Sequence, residues 1–382
     1  MTEPIYLDHN GTTPVDPEVL DAMLPFLHSE FGNPSSTTPW GRRARSAIEQ
    51  ARAEVADLIS AHPDEIIFMS GGTEASNHAI AGFAGRAPRD RRRIVTSTVE
   101  HPATGNPCWR LEQAGFAVVR VLVAHNGIVD VKAAEAAIDA STALVTIIHA
   151  QNETGVLQPV SELARAAAAV GAPIHADASQ SLGKVPIDVA AWGIDAMTIA
   201  GHKLYAPKGI GALFLKRGHD LPSPLAGAGQ ERGRRPGTEN VASIVGLGRA
   251  CVIAGQRLAE DAQRIAQLRD RLWQELSSKV PDLERVGAGA PTLPNTLNVL
   301  FPRTAGNAVL AAAPEIAAST GSACHAGEDK PSSIITAHGY AAGQAVGAVR
   351  LTLGRATTSE DVSRAAAALA SAWEQLSVSA AV

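Results

Sequence analysis

Four side chains that could take part in catalysis follow short apolar segments typical of buried strands. Lys203 comes after AMTIAG in the turn GHKLYAPKG, and Asp177 closes the segment PIHAD. His101 follows RIVTST, and Thr73 lies in a Gly-Gly-Thr turn after EIIFMS. Because parallel strands present their carboxyl ends at one edge of a sheet, these residues could share a single site.

The lysine and the carboxylate suggest chemistry on an amine. A lysine withdrawn from water has a lowered pKa and can act as a Schiff-base amine. A carboxylate can keep a pyridine nitrogen protonated, which makes a pyridoxal ring an electron sink. Taken singly, Lys203 is better explained as an exposed lysine and Asp177 as an ordinary strand-end carboxylate.

The segment SGGTEASNHAI predicts a strand, a tight turn and a helix start. Unpaired N–H groups and the helix dipole at such a start bind phosphate. The pattern is neither GxGxxG nor a P-loop, which disfavours dinucleotide and nucleoside triphosphate binding. His101 could stack on a cofactor ring and shuttle protons. In combination, the phosphate turn, His101, Asp177 and Lys203 indicate pyridoxal phosphate as the cofactor.

Three cysteines occur in the chain, and Cys324 is the one in a distinctive setting. The segment STGSACHAGEDKPSS surrounds it with small and polar residues, which favours a loop carrying an accessible nucleophile over a packed core position. A metal site is disfavoured, because Cys324 and His325 lack a second pair of ligands. Cys108 and Cys251 are predicted to pack in the core.

Alternating strand-like and helical segments must position these residues. Apolar runs at 65–70, 93–98, 117–123, 143–150, 173–179 and 196–201 predict buried strands, and residues 41–60 predict an amphipathic helix. This alternation is typical of a mainly parallel sheet with right-handed crossovers. After residue 240 the pattern predicts one or two long helices and a smaller α+β domain.

The composition limits the range of partners. The net charge of −5 argues against non-specific binding to nucleic acid or to anionic membranes. No apolar run is expected to span a membrane, and the N-terminus lacks the pattern of a signal peptide. We therefore expect a cytoplasmic protein that binds neither nucleic acid nor membranes.

Ordered motifs along the whole chain resemble the cysteine desulfurase and selenocysteine lyase group of class V, fold type I pyridoxal-phosphate enzymes. They are YLDHNGTTPVDPEVL, FGNPSS, SGGTEASN, VEHPA, QNETG, HADASQSLGK, GHKLYAPKGIGAL, GQERGRRPGTEN, LPNT, GSAC and VRLTLGR. The resemblance implies a large cofactor-binding domain over 15–248 with a mainly parallel seven-stranded sheet. It also implies a smaller α+β domain built from 1–14 and 249–382 that carries the cysteine loop.

The resemblance assigns roles around the cofactor ring. Lys203 would bind the cofactor covalently and later move the substrate Cα proton. Asp177 would pair with the pyridine nitrogen and Gln180 would contact the ring hydroxyl. His101 would stack on the ring and act in acid–base steps.

At the cofactor phosphate, the resemblance implies roles for Gly72, Thr73 and His202. Thr238 would reach the phosphate from a partner subunit, which makes a homodimer with shared active sites part of the expectation. Ala200 departs from the family pattern, since desulfurases of this group commonly have a serine there. One phosphate hydrogen bond, worth roughly 1–2 kcal/mol, would be lost if nothing replaces it.

For the substrate, the resemblance implies that Asn33, Asn152 and Arg350 bind L-cysteine or L-selenocysteine. The planar fork of Arg350 suits an α-carboxylate. Cys324 would accept sulfur as a persulfide while alanine is released, and an acceptor protein could then take the sulfur. Selenocysteine lyase activity, another β-lyase or aminotransferase-like activity and a non-catalytic scaffold stay open as alternatives. The residues around Cys324 lean toward the lyases, whereas VEHPA is desulfurase-like.

Overall fold

The computed structural model describes residues 4–321 and 331–379. Its strands, in chain order, are β1 (Ile5–Tyr6), β2 (Ile66–Met69), β3 (Arg93–Ser97), β4 (Ala117–Val121), β5 (Thr142–Ile148), β6 (Ile174–Asp177), β7 (Ala196–Ala200), β8 (Gly211–Leu215), β9 (Glu284–Arg285), β10 (Thr296–Leu300), β11 (Ile316–Ala317) and β12 (Ala348–Thr352).

Helices cover both faces of the strands and fill the C-terminal part. In chain order they are α1 (Pro17–His28), α2 (Pro39–Leu58), α3 (Gly72–Arg86), α4 (Pro102–Gln113), α5 (Val131–Ala137), α6 (Val160–Ala169), α7 (Val189–Trp192), α8 (Val241–Ser277), α9 (Gly306–Ala312), α10 (Ser333–Ala337), α11 (Ala342–Ala345) and α12 (Ser359–Ser379). Three short 3-10 helices lie at Pro63–Glu65, Gly201–Lys203 and Gln230–Gly233.

The central sheet has seven strands in the order β2-β8-β7-β6-β5-β3-β4. The pairs among β3 to β7 are parallel, and β8 runs antiparallel to both β2 and β7. Consequently β2, β3, β5, β6 and β7 all end at the same edge. This arrangement confirms the predicted mainly parallel seven-stranded sheet and brings the four motifs to one side of it.

Strand burial explains why the sequence pattern was easy to recognise. All residues of β2, β5, β6, β7 and β8 are buried, because helices cover both faces of the sheet. The helix predicted over 41–60 is α2, which begins after Thr38. The Thr38 hydroxyl accepts from the Gly41 N–H, and Pro39 occupies the first helical position.

A second hydrophobic core forms around two small sheets. One pairs β1 with β11, and the other has the order β12-β10-β9. Helix α8 contributes residues up to Ala254 to the first core and residues from Ile265 onward to the second. The proposed division of the chain at residues 14 and 248 stays a prediction.

By length and composition alone, helix α8 could span a membrane, which the sequence analysis did not predict. The most apolar stretch of 18 residues within the helix has a mean hydropathy of 1.3. However, 56% of that window is buried inside the fold. The helix packs on α1, α2 and α12, as a core helix does.

Candidate active site

A cavity of about 440 Å³ lies at the carboxyl edge of the sheet, where the small sheets meet it. Nine of the residues that the sequence analysis assigned to the cofactor or substrate line it: Gly72, Thr73, His101, Asn152, Asp177, Gln180, His202, Lys203 and Arg350. The topology accounts for this convergence, because most of these residues follow strands that end at this edge.

Lys203 ends the 3-10 helix that follows β7. Its Nζ donates to the backbone carbonyl oxygens of Asn10 and Gly11, the latter at 2.6 Å. Burial and, to a smaller extent, the positive charge of Arg350 lower the pKa of Lys203 to about 8. The lysine therefore gives up its proton much more readily near neutral pH than an exposed lysine, as a Schiff-base lysine requires.

Asp177 is the last residue of β6 and is 3% exposed. Its Oδ1 accepts from the Ser179 N–H at 3.0 Å and from the Ser179 hydroxyl at 2.6 Å. Among the described residues, every hydrogen-bond donor to the Asp177 carboxylate is directed at Oδ1. The other oxygen is left for a donor in the cavity, such as a pyridinium N–H.

The N-terminus of α3 forms another part of the cavity wall. Gly71 gives the helix no side-chain cap, so the first N–H groups are free to bind an anion. A Cβ on Gly72 would lie 2.9 Å from the Ser179 hydroxyl and 3.3 Å from the Ala200 Cβ. This tight fit leaves room for glycine alone.

His202 contributes a neutral imidazole to the same region. Burial, together with the positive charges of the neighbouring lysines, lowers the pKa of His202 to about 4. Nδ1 lies 3.1 Å from the Thr12 hydroxyl. At neutral pH the uncharged ring has only one N–H donor. The contact with Thr12 helps to determine which of the two ring nitrogens carries that proton.

His101 caps α4 from the opposite side of the cavity. Its Nδ1 accepts from the Ala103 N–H at 3.1 Å, which leaves Nε2 as the protonated nitrogen of the neutral ring. Loss of water around the ring lowers the pKa of His101, whereas the Asp177 carboxylate raises it.

Arg350 and Asn152 lie at the end of the cavity formed with β12. Arg350 is 4% exposed, and its guanidinium donates to Asp8 Oδ1 at 2.7 Å and to the Asn152 backbone carbonyl at 3.0 Å. These two hydrogen bonds fix the orientation of the Arg350 guanidinium, and its remaining N–H groups are available to a ligand. A buried, pre-oriented arginine suits recognition of a carboxylate.

Two predicted residues do not line this cavity, and a third lies outside the described part of the chain. Asn33 is exposed, and its Oδ1 accepts from the Ser35 N–H at 2.9 Å, so it shapes a turn on the surface. Thr238 is also exposed and lines a separate cavity of about 250 Å³. Cys324 lies outside the described residues.

The other two cysteines pack in the core, as the sequence predicted. Cys108 and Cys251 are 0% and 1% exposed. Burial raises the pKa of Cys108 to about 12 and raises that of Cys251 as well. Neither thiol would ionise at neutral pH, so neither is a suitable nucleophile.

Several cavity residues were missed by the sequence analysis. Asn10 and Gly11 supply the carbonyl oxygens that hold Lys203. Glu100 and Glu153 add two carboxyl groups to the wall. Glu100 and Glu153 each had a local signal, because Glu100 precedes His101 in VEHPA and Glu153 follows Asn152 in QNETG. Asn10 and Gly11 reach Lys203 through contacts distant in sequence.

These side chains fit pyridoxal phosphate. The free Asp177 oxygen matches a protonated pyridine nitrogen, the uncapped start of α3 matches a phosphate, and the Lys203 amine matches an aldehyde. Gln180 lines the cavity with an amide that can reach a ring hydroxyl. No cluster that could hold a metal occurs within 4–321 and 331–379.

Comparisons with known proteins agree with this geometry. The family described as Aminotransferase class-V matches residues 5–365. A cysteine desulfurase of Trichormus azollae is 43% identical over 362 residues, which cover 94% of this chain and 90% of that protein. Among solved structures, a NifS-like protein has a TM-score of 0.90 at 33% identity, covering 98% of this chain and 100% of that one. A structure titled SspA in complex with cysteine has a TM-score of 0.81 at 34% identity, covering 91% and 98%.

Proposed function

Since the chain belongs to the class-V aminotransferase family, we propose that it is a pyridoxal-phosphate-dependent cysteine desulfurase. It converts L-cysteine to L-alanine and transfers the sulfur to one of its own cysteines. The observation that carries this proposal is the convergence of Lys203, Asp177 and Arg350 on one cavity. Relatives named cysteine desulfurase at 43% identity over most of the chain support the choice of reaction.

The cofactor supplies a ring that, when bound, stabilises negative charge at the substrate Cα. Asp177 would keep the pyridine nitrogen of the bound cofactor protonated, since its second carboxylate oxygen has no hydrogen-bond donor among the described residues. Lys203 takes up and returns a proton at Nζ, which its pKa of about 8 allows near neutral pH. His101 can hold or release a second proton at Nε2.

The substrate carboxylate is held by Arg350. This guanidinium is fixed by Asp8 and by the Asn152 carbonyl before any substrate arrives, so little further ordering is needed on binding. A bidentate contact would fix the orientation of the amino acid, with its side chain directed along the cavity.

Cys324 is proposed as the sulfur acceptor on the family resemblance. Gly321 lines the cavity before residues 322–330, and Ser333 and Ile334 line it after them. The Cys324 thiolate forms an S–S bond to the substrate sulfur while the Cβ–S bond breaks. The electron pair of that bond goes to Cβ, which takes a proton to give alanine. An acceptor protein then removes the persulfide sulfur.

We further propose that two copies form a homodimer. Thr238 is exposed and lies outside the cofactor cavity of its own chain, so it is available to a neighbouring one. Helix α1 presents Leu20, Leu24 and Leu27 on one face, with exposures of 47%, 42% and 61%. Phe31 just after the helix is 71% exposed. Such a contiguous apolar face suits a subunit interface.

The test is a product assay on the purified protein loaded with pyridoxal phosphate. Alanine, sulfide and selenide are measured with L-cysteine and with L-selenocysteine for the wild type, Lys203→Ala and Cys324→Ala. The matched control is Cys108→Ala, which removes a thiol buried outside the cavity. We expect Lys203→Ala and Cys324→Ala to lose alanine formation from L-cysteine, and Cys108→Ala to retain it.

Three outcomes would overturn the proposal. If the loaded wild type forms no alanine from L-cysteine, the protein is not a desulfurase. If it acts mainly on L-selenocysteine and Cys324→Ala still releases selenide, selenocysteine lyase is the better description. A chain that binds no cofactor at all would be a scaffold.

A further inference from the structure

Lys184 contacts the cofactor cavity only through other residues. It does not line that cavity, yet its Nζ donates to Gln180 Oε1 at 3.1 Å and to Asn10 Oδ1 at 3.3 Å. Gln180 and Asn10 do line the cavity. On its other side, Lys184 borders a small cavity of about 30 Å³ that also touches Lys203. We propose that Lys184 is a positioning residue that fixes the amide of Gln180 for contact with the cofactor ring.

The argument rests on the direction of the hydrogen bonds. The two ends of a glutamine amide have nearly the same shape, so partners decide which end faces where. Burial lowers the pKa of Lys184 to about 7, but its ammonium and amine forms both carry N–H donors, and Lys184 directs one of them at the oxygen of Gln180. The Gln180 Nε2 group faces away from it and donates one N–H to the Asn10 backbone carbonyl at 3.0 Å. Its second N–H is left for the cavity.

Asn10 ties the same arrangement to Lys203. The backbone carbonyl of Asn10 accepts from both Gln180 Nε2 and Lys203 Nζ, while its side-chain oxygen accepts from Lys184. Asn10 is 1% exposed, so it has little freedom to adjust. Removing Lys184 would leave two buried oxygens each short of a donor, and the Gln180 amide would lose its fixed orientation.

This inference rests on the proposed cofactor, and the test uses two readouts besides activity. One is the dissociation constant for pyridoxal phosphate, from titration of the cofactor-free full-length protein. The other is the pH midpoint of the absorbance change of the bound cofactor. A hydrogen bond to the charged form of a group shifts its pKa, so a lost ring contact moves this midpoint.

The variants are Lys184→Met, Gln180→Ala and the double variant. Lys184→Leu provides a second apolar replacement should the Met variant not fold. We expect Lys184→Met to raise the dissociation constant about fivefold and to move the midpoint by about 0.7 of a pH unit, in the same direction as Gln180→Ala. In the Gln180→Ala background, the Lys184 substitution should have no further effect on either readout.

A matched control is Asn295→Leu. Asn295 Nδ2 donates to the same Asn10 Oδ1 at 3.0 Å and to the Leu353 carbonyl at 3.3 Å, so its donors are not directed at Gln180. This variant should leave the midpoint unchanged. An unshifted midpoint in Lys184→Met, or effects that add to those of Gln180→Ala, would overturn the inference. Failure of the wild type to bind pyridoxal phosphate would instead overturn the proposed function.

Discussion

Replacing Glu100 by glutamine should remove a pH dependence from the stability of the cofactor-free protein. The Ser97 hydroxyl and the Ile148 N–H donate to Glu100 Oε1, at 2.5 and 3.1 Å. Oε2 is buried and has no hydrogen-bond partner among the described residues. Burial, with a smaller contribution from the nearby Asp177 carboxylate, raises the pKa of Glu100 to about 8. Glu100 is therefore a neutral acid at pH 7, which glutamine imitates in shape.

The magnitude follows from linkage. In the unfolded chain a glutamate loses its proton near its ordinary pKa of about 4.3, whereas folded Glu100 keeps it up to about 8. Between these values the folded state binds more protons than the unfolded state, so the free energy of unfolding falls as pH rises. The slope for one group is about 1.4 kcal/mol per pH unit. The stabilisation that comes from the raised pKa of folded Glu100 is fully present below the pKa of a glutamate in the unfolded chain, and it is lost as pH rises toward the folded value of about 8.

The assay is urea denaturation of the wild type and of Glu100→Gln at pH 6 and pH 7. Other titrating groups, including the histidines with lowered pKa values, contribute equally to both proteins and cancel in the difference. We expect the variant to gain about 1.4 kcal/mol relative to the wild type between these two pH values. Glu112→Gln is the control: Arg120 lowers the pKa of Glu112, so its charge is constant over this range. A difference that stays constant within about 0.5 kcal/mol would refute the assignment of a neutral Glu100.

Three further substitutions test the cavity. Arg350→Lys should lower kcat/KM for L-cysteine by about 10- to 100-fold through a higher KM, because a point charge replaces the fork that Asp8 orients; an unchanged KM in steady-state assays would exclude a carboxylate contact. Asp177→Asn should lower kcat much more than it weakens cofactor binding, since the amide no longer favours a protonated ring nitrogen; parallel titration and turnover measurements separate the two. Gly72→Ala should weaken cofactor binding, because its Cβ would lie 2.9 Å from the Ser179 hydroxyl; unchanged affinity would place the phosphate elsewhere.

The sheet could be predicted because its strands are buried on both faces. Such strands appear as continuous apolar runs between Gly-rich or polar turns, and β2 and β7 lie within one residue of the predicted bounds. Strand β8 was not among the six strands predicted from local pattern, and neither was its direction. The apolar run GALFL does not indicate a partner, whereas the structure pairs it antiparallel with both β2 and β7.

The same distinction holds for the site. Asp177 ends β6, and His101 and Lys203 lie a few residues after the ends of β3 and β7, so a local pattern could locate them. Asn10 could not be found in this way, because its partner Thr296 is 286 residues away. Lys184 reads locally as a surface lysine after a Gly turn. Its contact with Asn10 spans 174 residues and exists only once the N-terminal segment crosses the sheet edge.

The way Lys203 is held explains how a fold can lower the pKa of a lysine without leaving it unsatisfied. Its two partners among the described residues are the peptide carbonyls of Asn10 and Gly11. Carbonyl oxygens accept the N–H donors but supply no full negative charge, so they compensate burial only in part. A carboxylate in their place would pair with the ammonium and raise the pKa. The Asp8 and Asp177 carboxylates do act in this direction, but burial and the positive charge of Arg350 outweigh them. The backbone of the N-terminal segment therefore keeps Lys203 ordered without restoring the ordinary pKa of a lysine.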